Sequence, residues 1–282
     1  MAINGIILLN KDRGISSNGV VNKVKHLVGA DKAGHLGTLD VLGEGLLPIT
    51  LGKGTKLFDY YLNKDKVYRT IYKFGETTDT LDLETEVTQK NDVVVTSEML
   101  QIILPKFIGK QQQMPPKYSA KKIKGRTAYS LVRAGVEFEL QPKEIEIYSI
   151  KLIKQIEFNT FEFEVHCSSG TYIRSLCRDI AESLSTFGVM SFIQRTKCGN
   201  FNIKDSYTLQ DIKDGKFSII KLDSLFDYSK FEFGDEEGAK LLNGCEIAVD
   251  ISDCKVKGYY KGEFIGICSI KNGKAKIELR LI

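Results

Sequence analysis

With 282 residues, 42% of them hydrophobic, the chain is long enough for one sizeable domain and a small companion, each able to bury a core. No apolar run approaches the ~20 residues needed to span a bilayer, and the N-terminal GIILL is too short for a signal-peptide core, so a membrane span and a secretory leader are not expected and the cytoplasm is. A net charge of +4 does not by itself announce a nucleic acid, and six cysteines without a C-x-x-C pair, with His26, His35 and His166 off metal-ligand spacing, point to reduced core thiols and away from structural zinc.

In chain order, Gly5 to Leu9 reads as a buried strand leading into a turn over Asn10–Gly14. A helix follows from Ser17, taken as its N-cap, with Val20, Val21, Val24, Leu27 and Val28 at helical spacing and Gly29 as the stop. Lys11, just after the strand, could meet a phosphate, although a lone lysine in a turn is ordinarily solvated. Lys32 to Pro48, KAGHLGTLDVLGEGLLP, places four glycines among His35, Thr38, Asp40 and Glu44 and reads as an active-site loop pinned by leucines. It is not a nucleotide loop. A P-loop would need glycine at 47, which is Leu, and Ser or Thr at 54, which is Gly; a dinucleotide fingerprint from Gly43 meets Pro48 where its third glycine belongs.

Lys66–Phe74 alternates as a strand, with Tyr68, Thr70, Tyr72 and Phe74 on one face. The Thr- and Asp-rich Glu76–Glu86 reads as an exposed loop, and Ser97 as the cap of a short helix reaching Phe107. Pro105 to Val136 carries eight Lys or Arg and no acid, with Tyr118 and Tyr129 between them, whereas Glu76 to Glu98 holds seven acids against one lysine. A basic arm with aromatics suits a phosphate backbone; a solvated surface is the competing reading. The arm starts extended, since Pro115 and Pro116 oppose helix, then turns helical near Thr127 and ends at Gly135. Strands are expected at 143–157 and 159–167, the second alternating Phe161, Phe163, Val165 and Cys167 inward with Thr160, Glu162, Glu164 and His166 outward. A helix from Thr171 to Ser185 follows, then a strand near Val189–Thr196. Arg174 opposes the helix dipole in the first turn and needs a carboxylate or phosphate partner, a structural salt bridge being the default. After a mixed connection over Asp205–Ser229, a short helix and several strands, with turns at Lys257–Gly258 and Asn272–Gly273, make a small β-rich module with its boundary near 230.

Asp40 is the candidate for chemistry: a carboxylate in a partly apolar loop, held ionised by an arginine, can act as nucleophile or base, whereas most Asp residues after a glycine-rich loop only cap or turn. Glu44 at i+4 raises a glycosidase-like carboxylate pair, whose separation loop spacing cannot establish. His35 and Tyr68 are, by default, structural.

KAGHLGTLD followed by GLLPITLGKGTK resembles the signature loop of the TruB-type tRNA pseudouridine synthases. The Lys11 turn, KVYRT, QMPPKYSAKKIKGRTAYSLVRAG and VHCSSGTYIRSL are similar to further landmarks of that family in its order, over residues 3–200. The resemblance implies an α+β pseudouridine synthase fold, a central mixed, largely antiparallel sheet flanked by helices, over residues 1–230. Within it the basic insertion at about 105–136 would grip the tRNA T-arm, and 231–282 would be a PUA-like RNA-binding module. It implies Asp40 as nucleophile, Arg174 as its ion-pair partner and Tyr68 stacked on the target base and serving in proton transfer. His35 would contact flipped nucleotides, Lys11 would steady the loop or a phosphate, Tyr172 would support Asp40 and Arg174, Ile193 would form an apolar wall, and Gly37 and Thr38 would complete the substrate site. Lys117, Lys121, Lys122, Lys124 and Arg126 would bind RNA. No metal or cofactor is implied, because the nucleoside supplies both leaving group and acceptor. The implied activity is isomerisation of uridine 55, in the T loop, after the base leaves its stack.

Four departures stand against the family pattern: Leu36 for Thr, Val41 for Pro, Gly43–Glu44 for Ala–Thr or Ala–Ser, and Asp12 for Pro. They bear on loop rigidity and on negative charge near RNA. An RNA-folding helper with secondary chemistry is the alternative class. A guide-RNA-dependent relative is disfavoured by the short C-terminal module and the lack of long basic tails; a stand-alone monomer is expected.

Overall fold

A computed structural model describes residues 3–119, 121–123 and 125–282. In chain order it runs β1 (Gly5–Lys11), α1 (Ser17–Val28), β2 (Ala33–His35), β3 (Glu44–Leu51), a 3-10 turn, α2 (Phe58–Leu62) and β4 (Lys66–Phe74). Next come β5 (Glu76–Thr78), β6 (Val87–Lys90), α3 (Ser97–Ile103), β7 (Gly109–Gln113), β8 (Lys122–Ile123), β9 (Arg126–Thr127) and α4 (Ala128–Arg133). The sheet is completed by β10 (Lys143–Glu157), β11 (Thr160–Cys167), α5 (Ile173–Ser183), β12 (Gly188–Cys198) and β13 (Phe201–Asn202). After α6 (Leu209–Lys213), the C-terminal part holds β14 (Lys230–Phe233), α7 (Asp235–Leu242), β15 (Ile247–Ala248), β16 (Cys254–Tyr260), β17 (Glu263–Lys271) and β18 (Lys274–Arg280). No helix among the described residues is long and apolar enough to cross a membrane.

The central sheet is ordered β1-β3-β12-β4-β11-β10-β7, with β2 on β3 and β13 on β12. All its pairings are antiparallel except β3 with β12, so the sheet is mixed but largely antiparallel as expected. Strand β4 lies at its centre and its alternation is borne out: Tyr68, Thr70, Tyr72 and Phe74 are buried while Arg69 is exposed. These side chains pack with Phe161, Phe163 and Val165 of β11 and Ile173, Leu176 and Ile180 of α5 in one core. Burial of each such aliphatic or aromatic side chain contributes roughly 1.5–3 kcal/mol. Glu162, expected outward on β11, is buried, because Arg69 and Lys154 converge on its carboxylate.

Several local expectations shift. Ser16, not Ser17, caps α1 by accepting from Gly19 N at 3.0 Å, which leaves Ser17 free for another contact. Thr96, not Ser97, caps α3. Lys11 ends a strand instead of lying in a turn, and the Lys32–Pro48 loop shrinks to residues 36–43 because β2 and β3 pair on either side of it. Thr171 precedes α5, which begins at Ile173. Thr78, Thr80 and Asp82 of the expected exposed loop are each 2% exposed. Lys257–Gly258 lies inside β16; there a Cβ on Gly258 would come within 2.6 Å of Cys268 Sγ, so that glycine serves packing, and the chain turns at Lys261–Gly262 instead. The Asn272–Gly273 turn joins β17 to β18 as expected.

Strands β14–β18 form a second sheet with its own small core of Phe233, Leu241, Ile247, Val256, Ile265 and Ile270. Ile267 and Leu281 pack into a third cluster with Leu8, Leu46, Leu57 and Tyr61, so the C-terminal sheet is fastened to the central one by apolar contact. Gly45 decides the seam between β3 and β12. Its φ is +96° and a Cβ there would lie 2.5 Å from Arg195 O. Gly45→Ala is expected to cost more than ~1 kcal/mol of stability in urea unfolding, since both the backbone angle and the space exclude a methyl group.

Candidate active site

The loop of residues 36–43 is fixed at four points. Leu36 N donates to Pro48 O at 3.0 Å, Gly14 N to Val41 O at 2.8 Å, and Gly43 N to Asp40 O at 3.0 Å. Ser17, released from capping, donates from Oγ to Leu39 O at 2.8 Å and accepts from Leu39 N at 2.9 Å. A further brace comes from Arg195, whose Nη2 donates to Gly37 O at 3.0 Å. Asp40 therefore projects from a braced turn, with its side chain 43% exposed.

Arg174 meets it. Its Nη2 lies 2.9 Å from Asp40 Oδ2, and its Nη1 lies 3.4 Å from Asp82 Oδ2. The guanidinium also donates from Nη1 to Thr80 O at 2.8 Å and from Nη2 to Tyr118 O at 3.1 Å. A guanidinium in the first turn of α5 opposes the helix dipole, and two carboxylates compensate it. The first was a sequence candidate; Asp82 was missed because an acid-rich stretch read as solvent-exposed. Asp82 is itself held, accepting from Thr80 Oγ1 at 2.7 Å and Glu84 N at 3.0 Å. The spacing Thr80-x-Asp82, a hydroxyl two residues before an acid, was the available signal.

Tyr172 precedes α5 and makes no side-chain cap; Gln113 holds its backbone, Oε1 accepting from Tyr172 N at 2.8 Å and Nε2 donating to Tyr172 O at 3.1 Å. Burial pushes the Tyr172 phenol up, and the nearby Asp40 carboxylate pushes the same way. Tyr68 is 8% exposed, and burial raises its phenol to about 12 against an opposing pull from Arg195. Ile193 is buried beside Gly43, where an added Cβ would meet Ile193 Cγ2 at 3.4 Å. His35 is half-buried on β2; burial and the Arg195 charge lower its pKa, and its Nδ1 is buried with no hydrogen-bond partner among the described residues. Gly37 adopts φ +110°, and Thr38 is exposed next to Asp40. Glu44 accepts from Gln194 Nε2 at 2.9 Å, which ties up the charge that departs from the family pattern.

Lys11 is 1% exposed, and its Nζ donates to Asp12 O at 3.0 Å and Ile15 O at 2.7 Å. It braces the 12–15 turn beneath Asp40 and is not placed as a free phosphate ligand. In the basic arm, Lys117, Lys122 and Arg126 are exposed, whereas Lys121 is half-buried and donates to Gln141 O at 2.9 Å. Lys124 lies outside the described residues. The Tyr118 and Tyr129 rings meet edge to face at 6.1 Å on the surface of the arm. A broad cleft lined by Thr78, Leu81, Met114, Pro116, Val136 and Arg178 includes neither Asp40 nor Tyr68.

The family model for the N-terminal domain of the TruB family pseudouridylate synthases matches residues 25–173, and that for the tRNA pseudouridylate synthase B C-terminal domain matches 174–225. The chain belongs to the TruB family. A tRNA pseudouridine synthase B of Caldanaerobacter subterraneus subsp. tengcongensis is 39% identical over 271 residues, covering 95% of each chain. One of Clostridium kluyveri is 38% identical over 285 residues, covering 98% of each. In fold, the chain is similar to one in the archaeal box H/ACA sRNP Nop10–Cbf5 complex, with TM-score 0.67 at 20% identity over 99% of this chain and 86% of that one. A chain of an H/ACA RNP bound to a substrate RNA containing 2′-deoxyuridine gives 0.69 at 22% over 99% and 85%. The TruB fold and the Asp40–Arg174 pair thus coincide in one molecule.

Two outcomes follow from this geometry. Asp82→Ala removes one of two carboxylates from a buried guanidinium and should destabilise the fold by about 3–5 kcal/mol in denaturant unfolding. Lys11 is shifted by burial from 10.5 down to about 8, so the folded state disfavours its charge. That penalty is fully present below about 8 and fades as pH rises toward 10.5. Lys11→Met should therefore flatten the gain in stability that the parent shows over that alkaline range.

Proposed function

We propose that this protein isomerises uridine to pseudouridine in the T loop of tRNA, at position 55, acting alone as a cytoplasmic monomer with Asp40 as the nucleophile. The Asp40–Arg174 ion pair carries the reading: an accessible carboxylate, oriented by a buried guanidinium, at the mouth of a TruB fold. The names of its relatives support tRNA as the substrate class.

A uridine inside a stacked loop hides its glycosidic bond, so the base must swing out, at a cost of a few kcal/mol that phosphate contacts and stacking offset. Tyr68 offers an aromatic face to the base, Ile193 an apolar wall, and Tyr172 a ring beside Asp40 and Arg174. His35, Gly37 and Thr38 border the same ground. Asp40 attacks ribose C1′ or assists departure of uracil through a glycal; the freed base turns and rejoins through C5, and Tyr68 takes the C5 proton. Arg174 fixes the direction of the carboxylate throughout. Lys11 acts on substrate only through the turn it braces. Residues 1–230 form the catalytic unit, Lys117, Lys121, Lys122, Lys124 and Arg126 grip the T-arm, and 231–282 add a PUA-like RNA-binding module.

Incubation with unmodified tRNA transcript, followed by carbodiimide primer-extension mapping, is expected to give one stop, in the T loop. Asp40→Ala should abolish it, a barrier increase on the order of 4 kcal/mol or a rate loss of at least ~1000-fold, with tRNA affinity largely kept. A product at another site, or undiminished conversion by the variant, would overturn the reading. Affinity should fall steeply with salt, and Lys122→Ala with Arg126→Ala should together lower the slope of log affinity against log salt by about 2.

A further inference from the structure

Arg195 is among the largest side chains that the fold buries, at 1% exposed, and no ion pair between described residues gives it a carboxylate. Its Nε donates to Leu46 O at 2.8 Å and its Nη2 to Gly37 O at 3.0 Å. Register places it beside Tyr68 of β4 on one side and Gly45 of β3 on the other, next to a bulge in β12. Two carbonyls could be served by a neutral amide. A guanidinium kept in a dry interior without a counter-ion calls for a stronger reason, and one exists where negative charge forms transiently beside it.

We propose that Arg195 is a positioning residue for the proton-transfer step, holding the Tyr68 oxygen against the Gly37 turn and steadying the negative charge that this oxygen carries before it takes the C5 proton. The inference rests on Tyr68 being the base in the reaction proposed above. Once the C1′–C5 bond has formed, C5 carries both the sugar and a hydrogen. The phenolate oxygen takes that hydrogen as a proton, the C–H electron pair becomes the C5–C6 double bond, the N1–C6 π pair moves onto N1, and N1 takes a proton from solvent. The Tyr68 phenol then returns its proton to water, so the net change is an isomerisation.

The charged and titratable neighbours favour this assignment. Facing the phenol are Arg195 from β12 and the thiols of Cys167 and Cys198, and of these only Arg195 eases loss of the phenol proton. Facing Arg195 are Tyr68, His35, Lys11 and Lys66. His35 is driven toward its neutral form by burial and then by the same cation, so its imidazole does not compete for the charge.

The test is single-turnover conversion of tRNA transcripts carrying protium or deuterium at C5 of uridine. The parent should show little isotope effect. Arg195→Gln should be slowed on the order of 100-fold, show a clear primary isotope effect, and regain rate with rising pH more steeply than the parent. In a Tyr68→Phe background the same substitution should add little. Arg195→Lys, which keeps charge but not the fork, should lie between, and it carries the test if the Gln variant does not fold. Equal slowing of both isotopes, full additivity with Tyr68→Phe, or an undiminished rate would overturn the role of Arg195. Asp40→Ala, measured alongside, separates that outcome from failure of the catalytic reading itself.

Discussion

The burial of one positive charge governs this molecule. Arg174 sits 5% exposed at the start of α5, where the helix dipole repels it, and a buried guanidinium without partners would be untenable. Four acceptors answer it: the carboxylates of Asp40 and Asp82 and the carbonyls of Thr80 and Tyr118. These come from the braced turn, the segment after β5 and the basic arm. Of these contact points only Asp82 belongs to a backbone pairing, a single bridge to Met190. Each segment has backbone supports of its own, and the shared cation ties the three together because each presents oxygen to it.

The two carboxylates then divide the work. Asp82 is 2% exposed and holds hydrogen bonds from Thr80 and Glu84, which leaves it no freedom to meet a substrate. Asp40, at 43% exposed, keeps one face toward solvent while its Oδ2 is engaged. A carboxylate satisfied on both oxygens would be inert, and one held by nothing would lose orientation on each encounter. The difference comes from the supports. Leu39 is pinned through Ser17 and Gly37 through Arg195, so the turn carries Asp40 outward, whereas Asp82 folds back under Leu81 and Met190 by backbone contact.

Much of this was legible from the residues. Period-two alternation in Lys66–Phe74 and Phe161–Cys167 located the central strands, because one buried face imposes that pattern on any sheet of this kind. The misplacement of Arg174 against its helix also called for a carboxylate, and one is there. What composition misjudged was the acid- and threonine-rich stretch at 76–86. Thr78, Thr80 and Asp82 bond among themselves, so their polarity is consumed internally and the segment can be buried. Lys11 escaped for a similar reason, its amine being spent on two carbonyls of the following turn. The caps of α1 and α3 each moved by one residue because adjacent hydroxyls, Ser16–Ser17 and Thr96–Ser97, compete for one role, and only tertiary contact decides between them.

The same cation joins Asp40 to the basic segment. Nη2 of Arg174 lies 2.9 Å from Asp40 Oδ2 and donates to Tyr118 O at 3.1 Å, so one nitrogen is shared between the Asp40 carboxylate and the backbone of the basic arm. Arg178, one turn along, donates to Met114 O at 3.0 Å, and Ser175 Oγ does so at 2.9 Å, so the approach to the arm is hung on α5 at successive points. Pro115 and Pro116, which cannot donate to a neighbouring strand, leave those carbonyl contacts as the means of holding this stretch. An arm displaced by the length of a hydrogen bond would take one acceptor from the guanidinium and leave its charge to Asp40 and Asp82. The strength with which Arg174 holds Asp40 is therefore set partly by where the backbone at Tyr118 lies, because one nitrogen serves both contacts.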